Sequence, residues 1–114
     1  MSAITTHILD TSRGRPASGV LVRLEILSEG GDWKVIGHGK TDMDGRVREL
    51  LPEDTPLVNA TYRLIFDTAA YFKAQHIESF YPEVTIVFAV GEASEHYHVP
   101  LLLNPYGYST YRGS

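Results

Sequence analysis

Hydrophobic and polar residues alternate with a period of two along most of the chain, which is typical of strands that bury one face. The clearest case is the range 20–27, whose expected core face carries Val20, Val22, Leu24 and Ile26. The same pattern predicts strands over 4–10, 33–38, 61–66, 83–90, 95–103 and 106–112. A further short strand is expected to begin at Arg46, because Asp44-Gly45 before it is a strong turn signal.

One segment departs from this alternation. Asp67-Thr68 can cap a short helix over residues 69–74. The range 11–19 contains glycine, proline and serine, and the range 51–59 contains Pro52 and Pro56, so both are expected to be loops. Seven or eight short strands with one helix of about two turns predict an all-β fold, a sandwich of two sheets. A chain of 114 residues is expected to form a single domain, residues 1–114.

Composition excludes several classes of partner and site. The formal net charge is −4 and no basic stripe is visible, so no nucleic-acid partner is expected. The absence of cysteine excludes disulfides, thiolate metal sites and cysteine nucleophiles. No apolar run approaches the roughly 18 residues of a membrane span, and no signal-peptide pattern is seen at the start. A cytoplasmic protein without a membrane partner is therefore expected.

Candidate chemistry lies on the outer faces of two predicted strands. In the range 95–103, one face carries Tyr97, Val99, Leu101 and Leu103 and is expected to be core, and the other carries His96, His98, Pro100 and Leu102. The strand over 4–10 similarly places His7 beside Leu9. A face exposed to solvent has little need of these leucines, so we expect an interface or the wall of a pocket.

His7, His98 and Arg46 form a plausible set for acid–base chemistry and anion binding. Imidazole titrates near neutral pH and can move protons, and guanidinium offers a fixed fork of donors to carbonyls or carboxylates. Two alternatives stay open: ordinary surface histidines, and a metal site that joins the His96-x-His98 pair to His7. With no cysteine and no acidic residue clearly placed, we expect neither metal nor cofactor. The serines lack a Gly-x-Ser-x-Gly context, so a serine triad is not expected.

Several motifs together match one known family. They are Thr6-His7-Ile8-Leu9-Asp10, Arg13-Gly14-Arg15-Pro16-Ala17, Asp44-Gly45-Arg46, the range 96–103 and the terminal Tyr111-Arg112-Gly113-Ser114. The chain resembles, over nearly its whole length, the 5-hydroxyisourate hydrolases, which are transthyretin-related enzymes of urate breakdown. The terminal tetrapeptide is highly specific to these hydrolases. Transthyretin proper shares the scaffold but lacks the tetrapeptide, the two histidines and the arginine.

This resemblance implies a transthyretin-like sandwich of two four-stranded sheets and one short helix. It also implies a homotetramer with a central channel and with active sites at the dimer–dimer interface. The implied reaction, in urate (purine) degradation, is hydrolysis of 5-hydroxyisourate to 2-oxo-4-hydroxy-4-carboxy-5-ureidoimidazoline, by histidine-assisted attack of water on a ring amide. The competing classes are a transthyretin-like carrier of an aromatic ligand and a purely structural domain.

The resemblance also implies roles for individual residues. His7 and His98 would activate water and shuttle protons, with the identity of the base left open, and Arg46 would bind substrate and stabilise the oxyanion. Tyr111 and Ser114 would shape the substrate site, so that the catalytic set is His7, Arg46 and His98 and the binding set adds Tyr111 and Ser114. Two further residues have open roles. Arg112 could instead pair with a carboxylate, and His96 is expected to be exposed or to support another group.

Overall fold

The computed structural model describes residues 2–114, in which nine strands form two sheets and one short helix follows the sixth strand. The strands are β1 (Ile4–Asp10), β2 (Arg15–Pro16), β3 (Leu21–Leu27), β4 (Trp33–Lys40), β5 (Arg46–Val47), β6 (Ala60–Phe66), β7 (Val84–Val90), β8 (Tyr97–Asn104) and β9 (Gly107–Thr110). The helix α1 is Thr68–Lys73. The predicted all-β, two-sheet class with one helix is confirmed. β2 was expected to be loop, and a strand of two residues is too short to show alternation.

The first sheet places the two ends of the chain side by side. Its order is β2-β1-β8-β9, and β1 runs parallel to β8 while β5 also pairs with β1. β2 pairs with the end of β1 at residues 9 and 10, and β5 pairs with its middle at residues 6 and 7. The two short strands therefore occupy one position in the sheet, which is four strands wide as expected. The second sheet has the order β4-β3-β6-β7.

The core lies between the sheets and follows the predicted alternation. Ile4, Ile8 and Leu101 of the first sheet and Leu24 and Leu64 of the second are fully buried. Because successive side chains of a strand point to opposite faces, these residues direct positions 5, 7 and 9 of β1 to the outer face of the first sheet. The candidate histidines therefore lie outside the core.

The helix is fastened to the end of β1. Asp67 caps it, accepting a hydrogen bond from the backbone N–H of Ala70 at 3.4 Å. The Tyr71 hydroxyl donates to the buried Asp10 carboxylate at 2.7 Å. The same carboxylate accepts from the backbone N–H of Ser12 at 3.0 Å, so helix, loop and β1 share one anchor. Among residues 2–114, no helix has the length and apolar character needed to cross a bilayer.

Candidate active site

A tight turn places Arg46 at the edge of the first sheet. The Asp42 carboxylate accepts a hydrogen bond from the Arg46 backbone N–H at 3.0 Å, which helps to hold the pKa of Asp42 below its ordinary value. Gly45 has φ +75°, and a Cβ there would lie 2.5 Å from the Ile8 carbonyl oxygen, so no other residue fits without strain. β5 thereby packs against β1 with Arg46 opposite His7. The expected short strand at Arg46 is confirmed.

The parallel pairing of β1 with β8 brings the other candidates to the same face. Thr5 lies opposite His98, and His7 lies opposite Pro100. A depression of about 210 Å³ forms where these rows meet the chain end. Its lining consists of Thr5, Thr6, Arg46, Val47, Arg48, His96, His98 and Ser114. His7 lies in the adjacent row of the sheet, beside Arg46.

The surroundings of His98 favour its neutral form. Burial lowers the pKa of this half-buried imidazole, and the positive charges of Arg46, His7 and His96 lower it further. Its Nδ1 lies 2.8 Å from the Thr5 hydroxyl oxygen, whereas Nε2 has no hydrogen-bond partner among residues 2–114. A neutral imidazole with one free nitrogen has the properties of a general base.

The Arg46 guanidinium is available for a ligand. Within residues 2–114 it makes no ion pair, whereas the neighbouring Arg48 is bound to Asp42 at 3.1 Å. An unpaired guanidinium beside a neutral imidazole can bind a carbonyl oxygen and stabilise negative charge that develops on it.

The end of the chain lies against the His98 ring. The Gly113 backbone N–H donates to the His98 carbonyl oxygen at 2.8 Å, which forms an isolated bridge beyond β9. A Cβ at Gly113 would lie 2.7 Å from Cδ2 of His98 and 3.2 Å from Cγ of Pro100. Only a glycine permits this close approach, which carries Ser114 into the lining of the depression.

Two residues of the terminal tetrapeptide, Tyr111 and Arg112, do not line this depression. Tyr111 is 59% exposed and borders a different depression, together with Val99 and Arg112. Arg112 pairs with Glu95 at 2.9 Å, which is the structural alternative left open by the sequence. The depression of one chain therefore brings together Arg46, His98 and Ser114, with His7 alongside and Tyr111 outside.

Thr5 is a residue of this site that sequence reasoning missed. Its hydroxyl oxygen lies 2.8 Å from His98 Nδ1 and 3.1 Å from His96 Nε2. The period-two alternation of β1 places Thr5 on the same face as His7, and this pattern is the sequence signal that could have identified it. His96 is exposed and supports this hydroxyl, in line with its expected secondary position. Within residues 2–114, no three His, Asp or Glu side chains are grouped to hold a metal ion.

Comparison with known proteins identifies the family. The family model described as HIUase/Transthyretin matches residues 4–113. The chain belongs to this family. A probable 5-hydroxyisourate hydrolase of Caenorhabditis elegans is 49% identical over 113 residues, covering 99% of this chain and 82% of the relative. The resemblance drawn from the motifs is therefore confirmed.

Solved structures agree on the fold and divide on activity. A 5-hydroxyisourate hydrolase of Klebsiella pneumoniae has a TM-score of 0.83 and 38% identity, covering 97% of this chain and 98% of its own. Sea bream transthyretin in complex with thyroxine has a TM-score of 0.90 and 32% identity, covering 98% and 95%. Since backbone similarity is as high to a transthyretin as to a hydrolase, the side chains of the site must decide between the two activities.

Proposed function

We propose that the chain is a 5-hydroxyisourate hydrolase of urate degradation, whose product is 2-oxo-4-hydroxy-4-carboxy-5-ureidoimidazoline. The observation that carries the proposal is the half-buried His98 imidazole beside the Arg46 guanidinium, unpaired within residues 2–114, in one depression. A carrier of an aromatic ligand needs neither group, whereas hydrolysis needs a base for water and a donor for the oxyanion. The names of the hydrolase relatives support the same substrate.

The positions of these groups support the following course for the proposed reaction. His98 Nε2 takes a proton from water as its oxygen attacks the carbonyl carbon of a ring amide. Arg46 donates hydrogen bonds to the carbonyl oxygen, which becomes negatively charged. The carbon–nitrogen bond then breaks, and the ring nitrogen leaves with a proton delivered by His7. The ring opens to a carboxylic acid and a ureido nitrogen, and no other reactant is consumed.

The proposal includes a homotetramer with active sites at the dimer–dimer interface. β7 and β9 each pair on one side only, so each sheet has an edge that another copy can extend. Because Tyr111 does not line the depression of its own chain, its proposed contact with substrate requires a second subunit. Residues 1–114 are proposed to form one domain, supported by a single continuous cluster of buried hydrophobic residues. The cytoplasmic location stays a prediction.

The decisive experiment follows the ultraviolet absorbance of freshly made 5-hydroxyisourate. The protein is expected to accelerate its decay, and the Ala variants of His7, Arg46 and His98 are expected to lose about 10²- to 10⁴-fold in rate. Size-exclusion chromatography of each variant controls for assembly. Full activity in Arg46→Ala would contradict its assigned role. Loss of wild-type activity after chelator treatment would establish a required metal, against the expectation of none.

A further inference from the structure

The Thr5 hydroxyl joins two imidazoles that differ in their exposure to solvent. Its oxygen is 2.8 Å from Nδ1 of half-buried His98 and 3.1 Å from Nε2 of exposed His96. A threonine hydroxyl has a single proton to donate. If both contacts are hydrogen bonds, one is donated by Thr5 and the other by a ring N–H.

Two arrangements of the protons satisfy both contacts. In the first, His98 Nδ1–H donates to Thr5, and Thr5 donates to His96 Nε2, so that His98 Nε2 holds a lone pair. In the second, His96 Nε2–H donates to Thr5, and Thr5 donates to His98 Nδ1, so that His98 Nε2 carries the proton. The state of one ring therefore fixes the tautomer of the other.

The charges around the two rings favour moving a proton outward. His98 shares the depression with Arg46 of β5, with Arg48 just after it and with Ser114, and His7 of β1 also acts on His98 as a positive charge. Burial and the neighbouring positive charges oppose an imidazolium at His98. His96 is exposed, so water can solvate a charge there.

We infer that Thr5 and His96 form a proton relay that discharges His98 during hydrolysis. The inference rests on the proposed function. As His98 Nε2 takes a proton from water, Nδ1 gives its proton to Thr5 and Thr5 gives its own to His96 Nε2. One positive charge appears at exposed His96, and the hydroxide formed from water attacks the amide. Thr5 and His96 are positioning residues, because neither touches the substrate in this scheme.

The first test compares Thr5→Val with Thr5→Ser. Valine keeps the shape without the hydroxyl, and kcat is expected to fall by about 10- to 100-fold with KM little changed. Serine is expected to restore most of kcat. Thr11→Val is the matched control, since it removes a threonine hydroxyl bound to the β8 backbone at Leu103, 3.1 Å away and outside the depression. Equal kcat in Thr5→Val and wild type would overturn the relay.

The second test reads the number of protons that move. We expect a plot of wild-type kcat against the fraction of heavy water to be curved, which indicates that several protons move in the rate-limiting step. Thr5→Val and His96→Gln are expected to give a straight line. The same curvature in wild type and in these two variants would overturn the relay.

The third test needs no activity and separates the relay from the proposed function. Nitrogen NMR at high pH is expected to show wild-type His98 with its proton on Nδ1, and Thr5→Val is expected to show a mixture of tautomers. An unchanged His98 tautomer in Thr5→Val would overturn the relay whether or not 5-hydroxyisourate is the substrate. Failure of the wild type to accelerate substrate decay would instead overturn the proposed function.

Discussion

Adding one methyl group at Gly113 tests whether the chain end fixes the position of the His98 ring, which we propose to be catalytic. Carbon atoms in contact lie about 3.5–4.0 Å apart. In Gly113→Ala the new Cβ would lie 2.7 Å from Cδ2 of His98, so ring and chain end must separate by about 1 Å. A misplacement of about 1 Å can cost on the order of 100-fold in rate. We therefore expect kcat of Gly113→Ala to fall by about that factor.

Stability should change far less than activity in this variant. The displaced chain end loses at most the bond from the Gly113 N–H to the His98 carbonyl, worth about 0.5–1.5 kcal/mol. For a domain of this size, the Tm is expected to fall by no more than about 10 °C. Circular dichroism melting measures this change, and the decay of 5-hydroxyisourate absorbance measures kcat.

Gly91→Ala provides the control. Apart from its chain neighbours, no atom of residues 2–114 lies within 4 Å of a Cβ added to Gly91, and its φ does not lie in the positive range. The Gly91→Ala variant should keep the kcat and the Tm of the wild type. The reasoning is refuted if Gly113→Ala keeps the activity of Gly91→Ala, because the chain end would then have no influence on the ring.

Three further changes test the electrostatics and the anchors. Among the neighbouring charges, Arg46 contributes most to lowering the pKa of His98, and Arg46→Gln removes it. NMR titration of the His98 ring should therefore show a higher pKa than in wild type, and an unchanged pKa would contradict the electrostatic effect of Arg46 on His98. Tyr71→Phe removes one donor to buried Asp10 and should cost about 1–2 kcal/mol in urea unfolding, whereas Tyr106→Phe, at an exposed tyrosine, should cost nothing measurable. Glu25 is 5% exposed and paired with Arg23 and Arg63. Burial opposes the charge of Glu25, but the two arginines outweigh burial and lower its pKa. The ion pairs therefore stabilise the fold at neutral pH, and this stabilisation is lost as the pH falls through the pKa of Glu25 in the folded protein. Glu25→Gln should cost about 1–3 kcal/mol at pH 7 and flatten this pH dependence, and exposed Glu83→Gln is its control.

Alternation along the chain was sufficient to predict the long strands and their buried faces. Alternation depends only on neighbouring positions in the sequence. It therefore placed Ile4 and Ile8 on the inner face of β1 and His7 on the outer face without information on which strands pair with β1. It could not predict β2, whose two residues form a strand only because the end of β1 offers a free edge. Alternation places Glu25 on the face opposite the core residues of β3, and only the structure shows that Arg23 and Arg63 bind it there.

The candidate site was less accessible to local reasoning because its members come from distant parts of the chain. Thr5 and His98 are 93 positions apart, and only the pairing of β1 with β8 sets Thr5 beside that ring. The family motifs supplied His7, Arg46, His98 and Ser114. They carried no information on Thr5, and none on which copy of the chain uses Tyr111.

The parallel pairing of β1 with β8 has a consequence for biosynthesis. A ribosome that has made β1 must still add almost the whole chain before the partner strand exists. At about 5–20 residues per second, the 93 positions between Thr5 and His98 take roughly 5–20 s. During that interval the nascent β1 exposes one edge and an unfinished half of the site. The last strands therefore complete the sheet, so a chain terminated between β7 and β8 would carry His7 and Arg46 but would lack His98.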